Sequence, residues 1–582
     1  MSLTKSFARI RLNSLLGAQA FGMVGALVPR LADLFVSGNV VGVDALSGIA
    51  AILPVTMGAL FIGKLVYCGA GYLFARYQGE FQHDKAREVA GLTLEMAALV
   101  GLFIFMAMYF GRDLYLDQLG LAGSVREQAV AYWRWTAVYM AVFPSVMVMW
   151  RLVYADGETV TTAIADFSQP FFTLALSIPL AKATGSAGGA ALGTLISELS
   201  ACSIMMLHLF RKSNSIKPKW CFSFSMAKEL VVYSLPDSAS RLCQCGFVSV
   251  VNKLVVSLAS PNFLPVVGVV ALLMELGEAL DKIGDAYAPI AEMYLGERNR
   301  PRLLELARYS VVVSILVGTF FSAAILAFAP QIVAAYGISH DDEIFRHAVL
   351  ALRIGAFVLP FNSVTSYLES HCLTIGRVAL AFVATVLEEF VMPVTCALAL
   401  ALLWGVDALW GGLPLGVSLA LISLLAYCKI RDHSAFPLPQ FPEKSEILNL
   451  SFVPSAERIA GVRDETEAFL SAHGIPHATV MRIALLVEEC AMALIDNNGK
   501  KAAKVIAEGS FTVAPGEVRV VFRDTGDITD ITDEDAKVSS LRSFVIAGLM
   551  QAHRNRQYLS TIGCNRSMFS FPLEMAGARE EE

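Results

Sequence analysis

The sequence predicts a polytopic α-helical membrane protein of about twelve spans in two six-helix lobes, followed by a separate α/β domain. Three observations carry this. Of 582 residues, 55% are hydrophobic and 16% charged, with a mean hydropathy of +0.58, far too apolar for one soluble domain. Apolar runs of about 20 residues, the length a helix needs to cross a bilayer, recur along most of the chain. After Arg431 the texture changes to ordinary soluble α/β sequence. The net charge of −6 is modest, and no basic tract with interleaved aromatics points to nucleic acid. The ten cysteines are scattered, and the closest pair, Cys243 and Cys245, is not a CxxC. They read as reduced packing residues, without a disulfide framework or zinc site.

The expected spans run over residues 14–37, 46–74, 88–110, 128–154, 160–181, 187–210, 231–259, 263–293, 304–329, 346–372, 378–403 and 408–430. The basic start, MSLTKSFARIRLNSLLG, runs straight into the first span without a small-residue cleavage site, so it is expected to be retained. With the N-terminus inside, the inside loops receive Lys5, Arg9, Arg11, Arg76, Lys85, Arg87, Arg211, Lys212, Lys217 and Lys219. Arg298, Arg300, Arg302, Arg377, Lys429 and Arg431 join them, while the outside loops keep chiefly Arg112, Arg126, Lys182 and Arg346. The positive-inside rule therefore predicts a multi-pass protein of the cell membrane with both termini cytoplasmic.

Charges within the spans are the functional candidates. Arg30 and Asp33 stand three apart in the first span, on one helical face. A charge at the bilayer centre costs about 2.5–3.5 kcal/mol on insertion scales, so both should face protein or a water-filled cavity. A static ion pair between helices is the competing reading. In the eighth span Glu275, Glu278, Lys282 and Asp285 fall at i, i+3, i+7 and i+10, one face of a continuous helix. That face is expected to line the central cavity, the alternative being a salt-bridge ladder along a partner helix. Asp237 and Arg241, four apart in the seventh span, have ion-pair spacing.

An internal repeat organises these spans. YLFARYQGEFQHDKAREV closes the second span and PIAEMYLGERNRPRLLEL the eighth, so Gly79-Glu80 and Gly296-Glu297 occupy matching loops, where glycine suits a helix cap. Two parallel halves, 1–225 and 226–432, would leave a substrate cavity between them. The stretch LVPRLADLFVSGNVVGVDALSGIAAILPV, with SLPDSAS from Ser234 to Ser240 and GERN from Gly296 to Asn299, resembles the MATE (multidrug and toxic compound extrusion) transporters over residues 10–432. The resemblance implies antiport, in which Na+ or H+ re-entry drives export of an organic solute by alternating access. It matches Asp33 to the family's first-span aspartate, the expected cation or proton site, and gives Arg30 no counterpart. A secondary transporter is expected and not an enzyme. No GxxxxGK[ST] phosphate loop supports ATP-driven transport. A transporter-like membrane sensor and a flippase of a lipid-linked intermediate are the alternatives.

The linker, 433–447, contains SAFPLPQFPEK, whose three prolines suit a semi-rigid spacer. In the tail, 448–575, SAERIAGVRDETEAFLSAHG and ATVMRIALLVEECAMALIDNNGK read as helices, EVRVVFRDTGD as a strand ending in a turn, and YLSTIGCNRSMFSFPL as a closing hairpin. This order resembles the GHKL ATP-binding fold, in its anti-sigma-factor-kinase-like branch. The resemblance implies a water-activating glutamate at Glu489 and an adenine-binding Asp-x-Gly at Asp524 and Gly526. It implies a Mg2+-holding asparagine four residues after Glu489, where Ala493 stands; Asn497 lies one turn further. SSLRSFVIAGLM, from Ser539 to Met550, replaces the family's glycine-rich loop with side chains that impede close approach to phosphate. A domain without ATPase or kinase turnover is expected, open either to an adenine nucleotide through Asp524 or to a cytoplasmic protein partner.

Overall fold

The computed structural model describes residues 6–17, 19, 36, 40–118, 123–158, 160–211, 214–258, 263–335, 343–434, 436–437, 446–527, 545–546, 548–549, 556–561 and 564–573. A helix over 7–17 (α1) precedes α2 (Val43–Gly79), α3 (His83–Gln118), α4 (Gly123–Ala155), α5 (Val160–Thr184) and α6 (Ala187–Met206). A second series follows: α7 (Phe224–Leu258), α8 (Leu264–Leu280), α9 (Lys282–Gly296), α10 (Arg300–Ala335), α11 (Glu343–Ala356), α12 (Val358–Thr374) and α13 (Val378–Val386). A π-helical turn, Leu387–Val391, leads into α14 (Met392–Trp404), then α15 (Val406–Leu409) and α16 (Gly412–Asp432). Among the described residues eight helices are long and apolar enough to cross a membrane, or nine if α11 and α12, bent by 40° at their junction, count as one.

The expected eighth span is two helices, α8 of 17 residues and α9 of 15, separated at Asp281. Glu275 therefore stands on α8, and Lys282 and Asp285 on α9. Asp281 accepts a hydrogen bond from Ser366 of α12 at the break. Gly277 and Gly284 on either side let α12 approach, since a Cβ at either would meet Asn362 at 2.7 Å or Ser370 at 2.1 Å.

Among the described residues the largest apolar core of the first series lies around Phe74, Val89 and Leu152, and that of the second around Val270, Leu352 and Trp410. They meet along α2, whose Gly69 N–H donates to Ser234 Oγ of α7 at 2.7 Å. At the end of this seam lie the two repeated Gly-Glu turns, built alike bond for bond. Gln82 N–H donates to Tyr77 O at 2.8 Å and Asn299 N–H to Tyr294 O at 2.8 Å. Phe81 N–H donates to Gln78 O at 3.1 Å and Arg298 N–H to Leu295 O at 2.9 Å. These paired bonds are Schellman caps, in which the residue past the helix end takes the left-handed conformation. Phe81 (φ 58°) and Arg298 (φ 57°) fill that position, not the glycines expected there. Gly79 and Gly296 serve close approach instead: a Cβ on Gly296 would meet Gly79 C at 2.3 Å, and one on Gly79 would meet Glu292 O at 2.5 Å.

Beyond the linker lies a five-stranded antiparallel sheet of order β1-β2-β3-β5-β4, from Glu446–Phe452, Ala507–Ala514, Glu517–Asp524, Arg556–Thr561 and Cys564–Pro572. Helices α17 (Ala456–Ala472) and α18 (His477–Asn498) cover one face, and Ser455 Oγ caps α17 by accepting from Arg458 N–H. Phe452, Phe511, Val520, Phe522, Phe569 and Phe571 point into that core. Because strand side chains alternate, their neighbours face the opposite way. Ser451, Glu508, Arg523 and Arg566 thus form one row across β1, β2, β3 and β5, and this face lies against the ends of the membrane helices.

Replacing Gly296 by Val should wedge the two turns apart. Overpacking costs roughly 1–3 kcal/mol, so the detergent-solubilised variant should melt several degrees below wild type. Unchanged melting would mean that the turns are not in contact.

Candidate transport site

Arg30 and Asp33 lie outside the described residues, as does the side chain of Glu278; Glu275 is half-buried on α8. Asp237, Lys282 and Asp285 gather around a residue that sequence reasoning missed. Arg151, near the end of α4, pairs with Asp285 of α9 and lies 3.8 Å from Asp237 of α7. Lys282 Nζ stands 3.4 Å from the other Asp285 oxygen and 5.6 Å from the Tyr154 ring centroid. Lys64 Nζ donates to the Asp237 carbonyl at 3.3 Å. Two carboxylates of the second series thus hold a cation of the first, across the seam. Asp237 is drawn toward Arg151, while Arg241 Nη1 donates to Gln244 Oε1 at 3.3 Å. Behind Arg151, Asp166 accepts from Trp150 Nε1 at 3.0 Å and from the Tyr154 hydroxyl. An arginine inside a span was the available signal for Arg151, and its partners are remote in sequence.

A second group of carboxylates adjoins Asp237. Glu388 and Glu389 occupy the π-helical turn, a geometry frequent at functional sites. Glu388 accepts from Asn362 Nδ2 at 3.0 Å and from the Thr365 hydroxyl, and Glu389 accepts from Ser240 Oγ at 2.7 Å. Glu369 of α12 interacts electrostatically with Asp237, Glu388 and Glu389, and its Oε1 is buried without a hydrogen-bond partner. Like charges gathered away from water repel strongly. Among the described residues no His, Cys, Asp or Glu group has the geometry to hold a metal ion outright.

In the tail, Asp524 is buried and accepts from Gly526 N–H at 2.8 Å and Asn565 Nδ2 at 2.9 Å. Asn498 braces the same turn, its Oδ1 accepting from Asp527 N–H at 2.8 Å. Glu489 and Asn497 are half-buried on α18. Asp524 and Gly526 therefore belong to one braced turn at the end of α18, and most of 539–550 lies outside the described residues.

Two measurements follow. Arg151→Met should strand Asp285 and Asp237 without their cation, at a cost of about 3–5 kcal/mol. Adding Asp285→Asn should restore part of the melting temperature, and no recovery would break the pairing. Burial pushes the Asp524 carboxyl up to about 6, despite the bonds from Asn565 and Gly526 that favour its charged form. A carboxyl raised above its unfolded value of about 3.9 stabilises the fold when protonated. That contribution is complete below this value and is lost as pH rises through 6. The tail transition of the full-length protein should therefore melt higher at pH 5 than at pH 7.5, and Asp524→Asn should narrow the difference.

With this geometry in place, comparison with known proteins gives a consistent answer. The family model MatE matches residues 19–181 and again 239–398, one stretch in each half. No curated protein sequence matches the chain. Among solved structures, a MOP superfamily transporter from Pyrococcus furiosus, described as having a binding pocket of reverse polarity, superposes with a TM-score of 0.68 at 20% identity. It covers 74% of this chain and 97% of its own. An outward-facing multidrug resistance MATE family transporter gives 0.67 at 21% identity over 72% of this chain and 95% of its own. A MATE structure in complex with MaD3S gives 0.67 at 20% identity, over 73% and 96%. The chain belongs to the MatE family, and is thus a secondary transporter and not an enzyme.

Proposed function

We propose that this protein is a cation-coupled antiporter that exports an organic solute by alternating access between two lobes, about residues 1–225 and 226–432. The observation that carries the reading is Arg151, held across the seam by Asp237 and Asp285. Asp237 also belongs electrostatically to the carboxylate group of Glu369, Glu388 and Glu389. A proton or Na+ entering that group neutralises the charge that holds Arg151 and so weakens one tie between the lobes. Such an ion shifts the equilibrium only through its unequal affinity for the two states. Asp33, with Arg30 beside it, is the corresponding candidate in the first lobe.

The positive-inside count supports a cytoplasmic tail, because Arg298, Arg300 and Arg302 stand at the end of the membrane helices that the tail contacts. The tail, 448–575, has helices on one face of an antiparallel sheet, which supports a GHKL-like regulatory module. Its braced Asp524–Gly526 turn is the place for an adenine nucleotide, with Glu489 and Asn497 on the adjoining helix.

The test uses proteoliposomes loaded with a fluorescent organic cation under an imposed pH or Na+ gradient. Asp237→Asn combined with Glu369→Gln should lower gradient-driven efflux at least tenfold, and Asp33→Asn should do the same while still inserting. Wild-type rates from the double variant would remove the carboxylate group from coupling. Dye binding without flux in the wild type would favour a membrane sensor.

A further inference from the structure

The row Ser451, Glu508, Arg523 and Arg566 is the polar centre of the sheet face that the tail's own helices leave uncovered, and its three charged members are closed off from water. Arg523 is 0% exposed, Arg566 1% and Glu508 0%. Most of the face is spent on the second lobe. Arg523 pairs with Glu297 and with Glu508, and its guanidinium lies 4.9 Å from the Tyr294 ring centroid. Tyr294 donates its hydroxyl to Glu508 at 2.9 Å. Arg302 reaches Glu508 at 2.7 Å and Ser451 at 2.8 Å. Asn299 donates to Asn449 at 2.7 Å and to Ser510 at 3.2 Å.

Arg566 points across the seam instead. Its Nη2 donates to Gln78 O at 2.8 Å and Gly79 O at 3.4 Å, carbonyls of the last turn of α2. Such carbonyls lie past the i→i−4 ladder of the helix, Gln78 O accepting also from Phe81 N–H of the cap, and form the negative end of the helix dipole, a natural seat for a guanidinium. The same guanidinium sits 4.1 Å from the Phe81 ring centroid, and Nη1 lies 3.6 Å from Glu297. One side chain of the tail thus touches both repeated turns.

We infer that the tail is an intramolecular latch: anchored on the second lobe through Arg523, Glu508 and Arg302, it uses Arg566 to hold the end of α2 and keep the lobes shut on the tail side. The inference rests on alternating access as proposed above. Opening on that side must part Gly79 from Gly296, now separated by less than a methyl group would need. Arg566, fixed to a sheet that stays with the second lobe beside Glu297, must then surrender two carbonyls and the Phe81 face. Tail docked as it stands and tail-side opening are mutually exclusive. The tail is therefore a brake on one half of the cycle, whatever solute the cavity carries.

The test measures lobe separation directly, in the full-length protein. Spin labels at Lys85→Cys and Arg300→Cys, with the exposed thiol of Cys221 removed, report the tail-side distance by pulsed electron resonance. Arg566→Ala should raise the population of the longer distance at least threefold, and Arg566→Lys should give an intermediate value, since lysine keeps the charge but not the forked donors or the flat stacking surface. Arg566→Met, which keeps the apolar stem, serves if the alanine variant does not fold and should behave like it. A distance distribution identical to wild type in the folded Ala or Met variant would overturn the latch. The readout needs neither ion gradient nor solute, so a failure of the coupling assay and a failure of the latch are separable.

Discussion

Glu297 is the point on which the two halves and the tail depend. It sits one residue before the left-handed cap of α9, 3% exposed, with Arg523 on one side and Arg566 on the other. Removing one partner of a buried charge pair is expensive, because the survivor is left in a medium that cannot solvate it. Neither arginine can therefore leave alone at low cost, and the three groups move as a unit or not at all. Their meeting is possible because Gly79 and Gly296 let the two turns pack to backbone distance. A side chain at either position would push the Phe81 ring and the Glu297 carboxylate out of reach of one guanidinium.

The seam carries a second charge assembly further along, around Arg151, and the two differ in kind. At Arg151 the partners are side chains of separate helices, Asp237 and Asp285, with lysines on either flank. Side-chain pairs of this sort can exchange partners when a proton or cation arrives. At Arg566 the acceptors are backbone carbonyls, which do not titrate. An ion can thus loosen the first tie and leave the second untouched, so one seam is subject to two separate controls.

How much of this was legible depended on the range of the interaction. The two tail helices, the β3 strand and the β4–β5 hairpin are local, and they stand where they were expected. The repeated Gly-Glu loops were legible as a repeat, but their glycines read as caps because capping is a local property. Their real use, contact between turns 217 residues apart, leaves no trace in either loop alone. The division of the eighth span was illegible for the opposite reason: helical periodicity assumes an unbroken helix, and this one is divided at Asp281. Arg151 escaped notice because a single cation in a span acquires meaning only from Asp237 and Asp285. Strands β1 and β2 were not anticipated.

The outer face of the sheet explains why the tail looked separable. An arginine on the outer face of EVRVVFRD should by default be solvated, yet Arg523 is wholly enclosed. Even the start of the chain joins the contact, with Phe7 N–H donating to Ser451 Oγ at 3.3 Å and the Phe7 ring 6.0 Å from the Arg523 guanidinium. The two arginines are not equally secure there. Burial works against the charge on Arg523, but Glu297, Tyr294 and Glu508 outweigh it and raise its pKa. For Arg566 burial prevails over Glu297, and the neighbouring charge of Arg523 adds to the fall. Arg523 is thus the compensated anchor and Arg566 the strained member. Because both are enclosed, salt screens them weakly. Ionic strength is therefore a poor key to this lock, and release has to come from a change in the tail that withdraws β5 from the end of α2.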